Sequence, residues 1–191
     1  MVGRQCSHAG AGRYLAVPVR HRKALAGTGL RIGDGLTLSG GHGTSREYPV
    51  RPLFGVGALI IDRERIILVK RGKQPARGEW SIPGGLVKTG EPIKTAVTRE
   101  VLEETGLEVE PQSLVELVER IFPDGTGRIR YHYVIADYLC RVVGGSLNAG
   151  SDAREAVWVA RSDLHRYSLA PITADVISKA FVESERFGRC E

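Results

Sequence analysis

The sequence is poor in the residues that staple or embed a chain. It has three cysteines, Cys6, Cys140 and Cys190, far apart and with no Cys-x-x-Cys spacing. An odd, scattered set excludes a disulfide framework and a zinc ribbon, and it fits a reducing compartment; a cytoplasmic location is expected. The longest apolar run, Phe54–Ile61, falls far short of the ~20 residues of a membrane helix, so no membrane partner is expected. An excess of one charge is missing as well, once its position is considered. The net charge is +5, but residues 1–46 hold seven basic side chains and one acid (Asp34), a net of +6. Residues 47–191 therefore balance at −1. The body of the chain has no basic excess for nucleic acid, and a basic tail alone gives weak, salt-sensitive binding.

What is present suits one domain with an extension. The chain has 191 residues, 42% hydrophobic and 26% charged, which is not the profile of a disordered polyampholyte. Residues 1–46 are rich in Gly and Arg and lack apolar periodicity, so they read as a disordered extension; residues 47–191 read as the folded domain. Within it, Phe54–Ile61 predicts a buried strand, Asp62–Arg65 a turn, and Ile66–Val69 its antiparallel partner. A glycine-rich connection, 72–85, follows. Pro92 opens a helical pattern with Ile93, Ala96, Val97 and Val101 on one face, and Gly106 closes it as a left-handed cap. Further strands are expected at 113–121, 130–140 and 156–159, and a last helix at 171–185. Strands and helices mixed in this way predict an α/β fold with a mixed sheet between helices.

One segment, Gly85 to Leu107, stands apart chemically. At ~3.6 residues per turn, Glu100, Glu103 and Glu104 share a helix face. Like charges there repel by about 0.2–0.5 kcal/mol per pair, and they lie near the helix C-terminus, where the macrodipole disfavours anions. A divalent cation would relieve both problems, and clustered carboxylates suit Mg²⁺, with Mn²⁺ as a substitute. Gly84 and Gly85 allow close backbone approach to a metal or phosphate. Arg99 is placed to pair with Glu91. The alternative is a solvated acidic face, which is what isolated acidic pairs on helices usually are.

The same segment resembles the Nudix box, G-x5-E-x7-R-E-U-x-E-E-x-G-U with U a bulky aliphatic. Gly85, Glu91, Arg99, Glu100, Val101, Glu103, Glu104, Gly106 and Leu107 fill every defined position. The lead-in from Trp80 through Pro83 is also similar to that family, and the resemblance extends from about Pro52 to Val159. It implies the Nudix α/β/α sandwich. It implies a metal face of Glu100, Glu103 and Glu104 with the Gly85 carbonyl, and Glu91 and Arg99 as structural support. It implies Mg²⁺-dependent attack of water on a nucleoside diphosphate linked to another moiety. The base that takes the water's proton is open among Glu100, Glu103, Asp152 and Glu155.

Substrate contacts are assigned more loosely. Arg71 and Arg77 flank the loop before the box and are candidates for phosphate contacts; solvated loop arginines are the alternative. Tyr131 and Tyr133 share a strand face, and Tyr131 is a candidate for stacking on a base. His132 faces the other way and reads as an ordinary strand residue, Trp80 as packing, Cys140 as a small core residue. Pro123-Asp-Gly resembles the proline that ADP-ribose pyrophosphatases carry at a similar distance past the box. The expected reaction is therefore ADP-ribose to AMP and ribose 5-phosphate. The alternatives are a (d)NTP pyrophosphohydrolase that cleans nucleotide pools, and an inactive ligand-sensing Nudix module. The expected partner is a small nucleotide; nucleic acid is not expected, and a homodimer stays open.

Overall fold

The computed structural model describes residues 46–72, 74–150 and 153–187. The disordered extension expected at the N-terminus therefore lies, but for Arg46, outside the described residues. So do Asp152, Cys6 and Cys190.

The first two strands are a hairpin, as the apolar runs predict. β1 spans Leu53–Asp62 and β2 spans Arg65–Arg71, antiparallel through Ile61–Ile66 and Asp62–Arg65. The glycine-rich connection is more ordered than its composition suggests. It holds two short strands, β3 (Trp80–Ser81) on β2 and β4 (Gly84–Leu86) on β1. Helix α1 runs Ile93–Thr105. Pro92 is its N-cap, and Gly106 ends it at φ 71, with its N–H donating to the Leu102 carbonyl. Only a residue without Cβ adopts that angle cheaply.

β5 (Leu107–Pro123) and β6 (Ile129–Gly145) form a hairpin far longer than the apolar patterns indicate. Pairing, with several register shifts, carries the strands through polar stretches that alternate poorly. At its tip, Asp124 Oδ1 accepts from Thr126 N–H and Oγ1–H and from Arg128 N–H. Those donors, with Tyr48 on the other oxygen, hold its carboxyl at about 2. β7 (Ala153–Ala160) pairs with β2, a 3₁₀ turn covers Arg161–Arg166, and α2 spans Pro171–Phe187.

The result is a seven-stranded mixed sheet whose central path runs β3-β2-β1-β6-β5. Among the described strands, the one parallel pairing is β1 with β6. The two faces of β1 separate the core. Val56, Ala58 and Ile60 pack with Ala96, Val97 and Val101 of α1. Leu59 packs with Val176, Ile177, Ala180 and Phe181 of α2. Gly55 and Gly57 fall on the α2 face; at Gly57 the space of a side chain is taken by Asp137 and Ile82, and at Gly55 the Gly85 carbonyl comes close.

Candidate active site

The cleft, about 790 Å³, is bounded by β1, the end of β2, β3, β4, the C-terminal half of α1, β5, β6 and the start of α2. Glu100, Glu103 and Glu104 all line it, with Gly84 and Gly85 beside them. Glu100 lies over Gly85 so closely that a Cβ there would overlap its carboxylate. Glu104 Oε2 accepts from the Gly84 N–H at 2.9 Å.

Arg99 organises the rest. Its Nε donates to Glu91 Oε1 at 2.7 Å and its Nη2 to Glu91 Oε2 at 2.9 Å and to the Leu86 carbonyl at 3.1 Å. Its Nη1 reaches Glu100 Oε1 at 2.6 Å and, weakly, Glu103 Oε2 at 3.3 Å. The Arg99–Glu91 side chains are mostly covered, at 18% and 11% exposure. The repulsion that the sequence assigns to a cation is thus met partly by Arg99 and by the Gly84 amide. Among the described residues, no three acidic, His or Cys side chains are already gathered around one point. The donor set nonetheless fits a divalent cation. It consists of hard carboxylate oxygens beside a glycine whose missing Cβ leaves room for the Glu100 carboxylate.

Glu91 makes the site's support sensitive to acid. Its bonds from Arg99 and from the Lys88 N–H hold its carboxyl at about 2, below the ordinary 4.5. A lowered folded pKa contributes stability that is complete above pH 4.5 and is lost as pH falls toward 2. The urea midpoint should therefore drop between pH 5 and pH 3 more in the wild type than in Glu91→Gln; equal drops would show that the pair is not coupled to folding.

The other sequence candidates divide. Arg71 lines the cleft, and its Nε is buried without a partner. Arg77 is exposed and is not among the lining residues. Glu155 is half exposed, outside the lining, and takes Lys70 Nζ at 2.9 Å. Tyr131 is only 5% exposed, also outside the lining, and its hydroxyl donates to Glu47 at 2.6 Å. It stacks on Tyr133, which does line the cleft. His132 pairs with Glu119 at 3.0 Å. Trp80 packs edge-on against Tyr167. Cys140 is core, and burial pushes its thiol up to about 12. Pro123 ends a strand at the hairpin tip and is not part of the lining, whereas Phe122 is. Sequence reasoning missed Arg120 and Asp137, both in the lining. A charged residue at an inward position of an apolar strand, as in Val134–Leu139, was the signal available.

The model of the NUDIX domain matches residues 51–180. The chain belongs to the Nudix family. It is 36% identical over 107 residues to an ADP-ribose pyrophosphatase of Methanocaldococcus jannaschii, an alignment covering 56% of this chain and 61% of that protein. It is 31% identical over 113 residues to a human 8-oxo-dGDP phosphatase, covering 57% and 32%. The chain thus spans under two thirds of the length of these relatives. Among solved structures, it resembles a MutT Nudix hydrolase from Burkholderia pseudomallei (TM-score 0.60, 32% identity, 68% of this chain and 98% of that one). It also resembles an ADP-ribose pyrophosphatase from Streptococcus suis (TM-score 0.55, 27% identity, 70% and 92%). Among the described residues no helix is long and apolar enough to cross a membrane.

Proposed function

We propose that the protein hydrolyses a nucleoside diphosphate linked to a second moiety, with ADP-ribose as substrate and AMP and ribose 5-phosphate as products, in the cytoplasm. The observation that carries this reading is that three box carboxylates line one cleft together with basic and aromatic side chains, Lys70, Arg71 and Arg120 with Phe122 and Tyr133. Glu100, Glu103, Glu104 and the Gly85 carbonyl would hold Mg²⁺, or Mn²⁺ in its place, which supplies charge neutralisation and a more acidic water.

The chain's own residues do the remainder. Lys70 and Arg71 bind the diphosphate oxygens and offset the charge that builds on them. Glu103 is the most exposed of the three acids, at 49%, and takes the proton of the attacking water. The water oxygen bonds to phosphorus, the bridging P–O bond breaks, and one phosphate leaves on each product. Glu91 holds Arg99, and Arg99 holds the loop carbonyl of Leu86 and orients Glu100. Glu155 is tied to Lys70, so its part in this scheme is to position that lysine.

A second reading, a phosphohydrolase of oxidised or ordinary (d)NTPs and (d)NDPs, draws on the likeness to the human 8-oxo-dGDP phosphatase. A panel of ADP-ribose, nucleotide sugars, 8-oxo-dGDP and (d)NTPs with Mg²⁺ separates the two. The kcat/KM for ADP-ribose should exceed the others; a higher value for any (d)NTP or for 8-oxo-dGDP would replace the first reading with the second.

A further inference from the structure

Asp137 is a buried acid that the box does not use. It lies in mid-β6 on the α2 face, with Gly57 of β1 and Glu116 of β5 as its backbone partners. Its side chain is 5% exposed, and Oδ1 has no hydrogen-bond partner. Gly57 makes the space for it, because a Cβ there would overlap Oδ1. Burial, then Glu116, pushes its carboxyl up to about 7 against the pull of Arg120. A buried oxygen that accepts nothing weakens a fold. Arg120 offers the acid a nearby positive charge but leaves Oδ1 without a hydrogen bond, so charge pairing alone does not explain that oxygen.

The residue belongs to the cleft and not to the sealed core. It shares the lining with Glu100 and Glu103. Arg71 Nε, the other buried side-chain atom without a partner among the described residues, lines the same space. The cleft therefore presents one unanswered acceptor and one unanswered donor, with Phe122 and Tyr133 as flat apolar walls. The diphosphate answers the arginine but would repel the acid, so the acid's partner is another part of the substrate. A purine has a flat face for the aromatics and an edge that carries an N–H donor next to an acceptor.

We propose that Asp137 determines base specificity, accepting through Oδ1 an N–H from the edge of the substrate's purine. This deepens the nucleoside diphosphate reading and rests on it. A site built to satisfy a base N–H rejects an analogue lacking it, because the protein acceptor is then left buried and unpaired.

The test uses the full chain as wild type, Asp137→Val and Asp137→Asn. Substrates are ADP-ribose and its 6-unsubstituted purine counterpart, in which a hydrogen replaces the amine and the six-membered-ring edge carries no N–H. Asp137→Val should be at least as heat-stable as wild type without ligand, yet lose about tenfold or more in kcat/KM for ADP-ribose, mostly through KM. Asp137→Asn offers either an oxygen or an N–H, so it should narrow the preference between the two bases. It also decides the matter if the valine variant fails to fold. An unchanged base preference in Asp137→Asn, or an equal fall on both substrates with a lower melting temperature, would overturn the proposal. Calorimetric binding of AMP and purine riboside 5′-monophosphate reads the same contact without turnover. Discrimination that depends on Asp137 in a protein inactive on both substrates would remove the hydrolase reading and keep this one; no binding of either nucleotide would remove both.

Discussion

Glu103→Gln and Glu104→Gln should each lower turnover by about 10²-fold or more at saturating Mg²⁺, while the fold survives. The structure separates the two effects. Glu103 is half exposed and touches Arg99 only at 3.3 Å, so losing its charge removes little that holds the chain together. Glu104 accepts from the Gly84 N–H, a bond that a glutamine oxygen reproduces. Both substitutions also remove a like charge from a crowded helix face. Melting temperatures should therefore shift by no more than the equivalent of about 0.5 kcal/mol. Steady-state kinetics beside thermal denaturation checks both halves. Wild-type turnover in the two variants would end the assignment of these carboxylates to the chemistry.

Two adjacent glycines should respond to alanine in opposite ways. At Gly84, φ is 155, and a Cβ would overlap the backbone oxygen of Val56. Neither can yield without moving β1, so Gly84→Ala should cost about 3 kcal/mol or more, lowering the melting temperature by roughly 6–12 °C. At Gly85 the three atoms nearest the new Cβ all belong to the carboxylate of Glu100. That end can swing aside, so Gly85→Ala should fold with near-normal stability and lose most of its activity, because Glu100 is displaced. A stable, active Gly85→Ala would show that the close approach of Glu100 is dispensable. A Gly84→Ala variant as stable as wild type would show that β4 has room to shift.

Much of this was legible in the chain. Helix α1 announces itself through Ala96, Val97 and Val101 at helical spacing, between a proline that cannot extend the helix backward and a glycine that can take φ 71. The hairpin of β1 and β2 is equally local, since eight apolar residues, a charged turn and a second apolar run leave few other arrangements. The common placement of the box carboxylates was readable for a related reason: 3.6-residue periodicity puts Glu100, Glu103 and Glu104 on one face, and all three line the cleft.

Tertiary structure decided what depends on partners distant in sequence. The length of β5 and β6 comes from pairing with each other, and it carries polar residues that no alternation would assign to a strand. Of the two tyrosines on one strand face, Tyr131 was the sequence candidate for stacking; the fold instead brings Glu47 to the hydroxyl of Tyr131 and puts Tyr133 in the cleft lining. Glu155 was an acid on the approach to a strand until β2 brought Lys70 beside it. Asp137 gained its meaning only when parallel pairing set it against Gly57, 80 positions earlier in the chain. Periodicity fixes which residues share a face. What that face meets is set by long-range pairing, and a buried carboxyl's energy depends on what it meets.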